Sequence, residues 1–205
     1  SNLQQWGFFL YEVIYMTKIY LVRHAKPDFK WSDDLTRPLT ANGISDSHKV
    51  SEALAQIHLD YAISSPYFRS IKTIEECALS HNLSIDTDIR LRERKSGHGG
   101  NNMEMFRKRW ADFNYHEEGG ESLISVQERN INALKYVLNN HKNESILIGT
   151  HGTALSTILN YYDNSFGCDD FLRIINFMPY IIRLDFEGYS CIRKEEVLIV
   201  ERKYD

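Results

Sequence analysis

In "KIYLVRHAKP" an arginine and a histidine, Arg23 and His24, follow the apolar run Ile19 to Val22, and in "SILIGTHG" His151 follows a similar run. Ile19 precedes His24 by five residues, Ile146 precedes His151 by five, and a small residue, Ala25 or Gly152, comes next in each case. A second arginine, Arg69, stands shortly after "AISSP". Taken singly, an Arg-His pair marks only where a strand leaves the core, and Arg69 reads as a solvated surface charge. Taken together, two guanidiniums present planar forks of donors that match a tetrahedral oxyanion and keep their charge at working pH. A neutral imidazole beside them can attack phosphorus and form a labile phosphohistidine, while a second imidazole donates hydrogen bonds to the equatorial oxygens. A leaving alkoxide would also need a proton. Glu93 in "DIRLRERKSGHGG", a segment with glycines at 97, 99 and 100, is the candidate acid. Its competing reading is a surface pair with Arg92 or Arg94.

These side chains converge only if the chain places them on one surface. Ile19 to Val22 and Ile146 to Ile148 read as buried parallel strands, and Tyr61 to Ser64 as a third. Ser65-Pro66 then predicts a capped helix start, with Phe68, Ile71, Ile74 and Ala78 as its buried stripe and Arg69 in its first turn. "LTANGISDSHKVSEALAQI" predicts a turn at Asn42-Gly43 and a helix burying Ile44, Val50, Leu54 and Ile57. Leu123, Val126, Ile131, Leu134 and Leu138 predict a longer helix, residues 153 to 162 a further one, and Glu187-Gly188 the turn of a hairpin. Strands alternating with helices give an α/β sandwich, three layers with a mostly parallel central sheet. Ligands of such sheets bind beyond the carboxyl ends of the strands, where helix N-termini add N–H donors. Arg23, His24, Arg69 and His151 all fall there.

The 205 residues suit one domain, and 42% hydrophobic with 25% charged residues is an ordinary globular balance. A net charge of -4 argues against general nucleic-acid binding and leaves small ligands as the expected partners. Cys77, Cys168 and Cys191 have neither disulfide nor metal spacing, which suits a reducing cytoplasm. No apolar run reaches the ~18 residues of a membrane span. The remaining histidines lack metal spacing, and no nucleotide or serine-hydrolase motif is present. No metal and no cofactor are therefore expected. Of those histidines His98 is nearest the chemistry, since it follows Gly97 in the acid segment. Residues 1 to 15 resemble neither a signal peptide nor the main pattern. They are expected to be an extension, with the domain running from Met16 to residue 205. Oligomeric state is left open.

Six ordered segments between about residues 18 and 155 resemble the histidine phosphatase superfamily, in its phosphoglycerate mutase-like branch. "LVRHAKP" resembles the signature with Arg23 as phosphate ligand and His24 as nucleophile, and "RPLTANG" the opening of the first helix. "SSPYFRSIKTIEE" places Arg69 in the phosphate pocket, and "LRERKSG" carries the general acid, Glu93. "GGES" and "GTHG" are the last landmarks, with His151 and Gly152 at the pocket. The resemblance implies a metal-independent phosphomonoesterase acting on a small phosphorylated metabolite through a phosphohistidine. A mutase is the neighbouring alternative, and a non-catalytic phospholigand-binding module is the alternative from another class. Ala25 stands where the signature has glycine, and the loop from Asp28 to Asp34 lacks the mutases' phosphate-binding asparagine. Lys30 is the candidate replacement, against the plainer reading of a solvated loop lysine. Arg107, Lys108 and Arg109 cannot all face a ligand from one helix, which disfavours a mutase. Should Glu93 not be the acid, Asp28 and Glu104 are next.

Overall fold

Residues 16–204 are described in a computed structural model, so the expected extension over residues 1 to 15 lies outside the described residues. The elements run β1 Thr17–Arg23, α1 Ala41–Leu54, β2 Tyr61–Ser64, α2 Phe68–Ser80, β3 Ile85–Thr87, a 3₁₀ turn Ile89–Leu91, and α3 Met103–Ala111. They continue with α4 Leu123–Asn140, β4 Ser145–Thr150, α5 Gly152–Tyr162, α6 Cys168–Ile174, and the hairpin β5 Phe177–Glu187 and β6 Ser190–Glu201. The sheet order is β3-β2-β4-β1-β5-β6. The first four strands are mutually parallel, and the hairpin adds two antiparallel strands at one edge. Among the described residues no helix is long and apolar enough to cross a membrane.

Why β1 is apolar without alternation follows from its place inside the sheet. Ile19 and Leu21 point into a core shared with α4 and α5, while Tyr20 and Val22 point into one shared with α1 and α2. The five residues expected to face inward from α4 are all buried. A third, smaller cluster joins Phe106 of α3 to Phe171 of α6 and Ile175, with Tyr204 packed against it.

Three local expectations need correction. Asn42 and Gly43 lie inside the first turn of α1, because the Thr40 hydroxyl caps that helix by accepting the Gly43 N–H at 3.0 Å. Ile44 consequently faces solvent, at 54% exposure, and Ile57 lies beyond the helix. Helix α2 begins two residues later than the Ser-Pro signal suggests. Its N-cap is Tyr67, and Phe68 is left on the exposed side. Ser65 is engaged elsewhere, as described below.

Gly43 has a packing reason to be glycine: a Cβ there would overlap the carbonyl oxygen of Lys26, which also accepts the Thr40 N–H at 3.0 Å. Gly43→Ala therefore forces the Lys26 segment away from α1. It should lower unfolding stability by about 1–3 kcal/mol in urea titrations. Ile44→Ala, one residue along on the exposed side, should stay within about 0.5 kcal/mol of the parent. Equal effects at the two positions would contradict this contact.

Candidate active site

Parallel pairing of β1 with β4 sets Arg23 opposite Thr150, and the His24 N–H continues the ladder by donating to the Thr150 carbonyl at 3.1 Å. His24 and His151 thus emerge side by side at the carboxyl ends of adjacent strands, their rings edge to face with centroids 5.2 Å apart. On the other side of β4, β2 delivers Ser65 and then Arg69 at the start of α2. The four residues expected at this edge are brought together, and all four are buried. They adjoin a cavity of about 590 Å³ whose wall includes Arg23, His24, Arg69, Glu93 and Gly152, with His151 directly behind.

The His24 ring has one nitrogen already committed. Nδ1 lies 2.8 Å from the Ala25 carbonyl, which can only accept, so Nδ1 bears the proton and Nε2 keeps its lone pair. Burial, and then the charges of Arg69 and Arg23, hold the His24 imidazole well below its ordinary pKa. Burial and Arg69 do the same to His151. Both rings are thereby kept neutral, as a nucleophile on phosphorus requires.

Arg23 is anchored from behind: its guanidinium donates to the Ile174 carbonyl at 2.6 Å and the Phe177 carbonyl at 3.1 Å. Burial lowers its pKa to about 10, which leaves it charged at neutral pH, and its buried Nε has no hydrogen-bond partner among the described residues. Gly152 permits this placement, since a Cβ there would lie 3.1 Å from that Nε. Arg69 donates to the Asp34 carbonyl at 2.7 Å and lies 3.1 Å from the Asp34 carboxylate.

Glu93 does not pair with its neighbours Arg92 and Arg94, which bond instead to Glu121 and Glu117. Its carboxylate accepts the N–H groups of Thr153 at 3.1 Å, Ala154 at 3.2 Å and Arg94 at 2.8 Å, so it caps α5 at the cavity wall. Arg129 of α4 holds the same segment by donating to the carbonyls of Arg90, Arg92 and Glu93. Further along, burial alone would raise the Glu117 carboxyl, but hydrogen bonds from Arg94 and Arg109 hold it at about 2.

Other named residues lie elsewhere. Lys30 is exposed and does not line the cavity. His98 is exposed beside Glu118, Glu104 pairs with Lys108 on the surface, and Asp28 lies outside the cavity wall. Of the three cations on α3, Arg109 is buried against Glu117 and none lines the cavity. The wall does contain groups that sequence reasoning missed. Arg37, from the "RPLTANG" segment, and Lys95 add charge, and Phe29, Phe106 and Tyr204 add an aromatic side. Arg37 adjoins a recognised motif and could have been found. Tyr204 lies far from every motif and gives no local signal.

The family described as the histidine phosphatase superfamily (branch 1) matches residues 19–191 of this chain. Phosphoserine phosphatase 1 of Hydrogenobacter thermophilus is 30% identical over 177 residues, covering 76% of this chain and 83% of that protein. A probable phosphoglycerate mutase, GpmB, of Proteus mirabilis is 27% identical, covering 71% of this chain and 74% of that protein. A mycobacterial glucosyl-3-phosphoglycerate phosphatase shares the fold, with a TM-score of 0.72 at 15% identity over 92% of this chain and 100% of that one.

The two buried imidazoles make stability depend on pH with a defined sign. Unfolded histidine takes up its proton near a pKa of about 6.5, whereas the folded rings resist it, so the unfolded state binds more protons below that pH. Stability should be full above about pH 6.5 and decline as pH falls below it, by up to about 1.4 kcal/mol per pH unit for each ring. Urea midpoints measured from about pH 7.5 to about pH 5 should show this decline, and the His24→Gln, His151→Gln double variant should lose that part of it. An unchanged slope in the double variant would refute the neutral buried pair.

Proposed function

The chain belongs to the histidine phosphatase superfamily and is a phosphoric monoester hydrolase of that family, and we propose that it hydrolyses a small phosphorylated metabolite through a phospho-His24 intermediate. The observation that carries this reading is the commitment of His24 Nδ1 to the Ala25 carbonyl, which leaves the Nε2 lone pair beside two buried arginines. Arg23 and Arg69 would hold the phosphoryl oxygens, the unpartnered Arg23 Nε among their donors. Nε2 then forms the N–P bond as the ester P–O bond breaks. The departing alkoxide takes a proton from Glu93 in its acid form, and Glu93 as carboxylate next takes one from the water that cleaves the N–P bond. Inorganic phosphate leaves, and His24 returns neutral.

The cavity favours a substrate larger than phosphate itself. Arg37 and Lys95 suit a second anionic group, and the side formed by Phe29, Phe106 and Tyr204 suits an apolar portion. The names of the relatives, phosphoserine phosphatase and glucosyl-3-phosphoglycerate phosphatase among them, support small phosphorylated substrates of this kind. Hydrolysis is preferred over mutase transfer on the name of the 30%-identical relative, a phosphatase; the extra cations at the wall are Arg37 and Lys95, and those of α3 do not reach it.

With an aryl phosphate the protein should release inorganic phosphate, and added glycerate should receive no phosphoryl group. Transfer to glycerate would establish the mutase, and binding without turnover the non-catalytic module. Glu93→Gln should slow phosphoenzyme formation from alkyl phosphates by ~10²- to 10⁴-fold and from activated aryl phosphates far less. Pre-steady-state measurement separates that step from later hydrolysis. Equal losses on both substrates would remove Glu93 from the acid's role.

A further inference from the structure

The hydrogens available around His151 can be counted. Ser65 and His151 are both wholly buried, and the Ser65 hydroxyl oxygen lies 2.8 Å from His151 Nε2. The same oxygen accepts the Tyr67 N–H at 3.3 Å. A serine hydroxyl has one proton to donate and two lone pairs, and a neutral imidazole has one N–H and one bare nitrogen. His151 is held neutral by burial and by Arg69, so it has a single proton to place.

Two arrangements are possible. If His151 donated through Nε2, the Ser65 oxygen would accept twice, and its own proton would have no acceptor among the contacts it makes. Nδ1 would then be a bare lone pair, also buried and without a partner among the described residues. Two buried polar sites would be unmet instead of one, and each such group carries its own desolvation cost. If Ser65 donates to Nε2, the hydroxyl is satisfied on both sides and the only unmet group is an N–H on Nδ1.

We infer that Ser65 is a positioning residue that holds His151 as the Nδ1–H tautomer, so that this imidazole presents a proton donor, never a lone pair, to a phosphoryl oxygen. A lone pair at that nitrogen would repel the oxyanion that the two arginines attract, whereas a fixed N–H stabilises charge gathering on it in the transition state. The ring is also confined. His24 packs edge to face on it at 5.2 Å, and Tyr67 does so at 5.2 Å with an interplanar angle of 72°. The consequence in catalysis rests on the phosphohistidine reading, but the tautomer itself does not.

The test is the ring-nitrogen spectrum of ligand-free protein labelled with ¹⁵N in histidine. Long-range proton–nitrogen correlations distinguish a protonated ring nitrogen from a bare one, and the His151 signals are identified by their loss in His151→Gln. The expected result is a protonated Nδ1 and a bare Nε2 in the parent protein. Ser65→Ala should move His151 toward a mixture of tautomers and lower kcat on an alkyl phosphate roughly tenfold with little change in KM, less than loss of a whole oxyanion donor. Ser65→Thr, which keeps a hydroxyl, should restore both. A proton on Nε2 in the parent overturns the inference whether or not the variants fold, and so does a Ser65→Ala protein with unchanged tautomer and kcat. If His24 forms no phosphoenzyme while His151 still carries its proton on Nδ1, the functional reading fails and the tautomer assignment stands.

Discussion

Everything at the site depends on the parallel register that pairs Arg23 with Thr150. Side chains alternate between the faces of a strand, so a slip of one residue would exchange the two cores and send Arg23 and His24 to the wrong sides. The register is fixed where it matters least for chemistry. Ile19 and Leu21 fill one core and Tyr20 and Val22 the other, and all four are essentially excluded from solvent. Hydrophobic packing along the strands thus determines where two polar side chains emerge at their ends.

That placement puts two guanidiniums and two imidazoles into buried surroundings, which would be unfavourable without compensation. The compensation is local and mostly from the backbone. Carbonyls of Ile174 and Phe177 hold Arg23, and the Asp34 carbonyl and carboxylate hold Arg69. Because no carboxylate among the described residues pairs directly with His24, burial first, and then the charges of Arg69 and Arg23, keep its ring neutral. The cations that would attract phosphate thus add to burial in keeping His24 unprotonated. A second set of ion pairs, Glu117 with Arg94 and Arg109 in buried surroundings and Glu121 with Arg92 and Arg129 half-buried, leaves the Glu93 carboxylate without an ion pair to Arg92 or Arg94 and bonded to the start of α5.

Much of this was legible in the sequence because the signals were local. A short apolar run followed by an arginine or histidine is enough to place Arg23, His24 and His151 at strand ends, and the α4 stripe is correct at every position. Failures came where tertiary contacts override local preference. Ser65-Pro66 reads as a helix cap, yet the hydroxyl bonds to His151, far away in sequence. Asn42-Gly43 reads as a turn, but a threonine cap and close approach to Lys26 make it helix. Lys30 has the charge for a phosphate contact but stands exposed outside the cavity, whereas Arg37 in the next segment lines it. Nothing near Tyr204 announces its role, because its ring reaches Phe29 and Phe106 only once the sheet is complete.

His24, and not His151, is proposed to take the phosphoryl group, since of these two rings it is His24 that has its Nδ1 proton fixed on a backbone carbonyl and its Nε2 without a partner among the described residues. Brief reaction with phosphoryl-labelled substrate, an alkaline quench and peptide mapping address that assignment directly. An acid-labile, base-stable label is expected on the peptide containing His24, and none in the His24→Ala protein. Label on the peptide containing His151, or full turnover in His24→Ala, would contradict it.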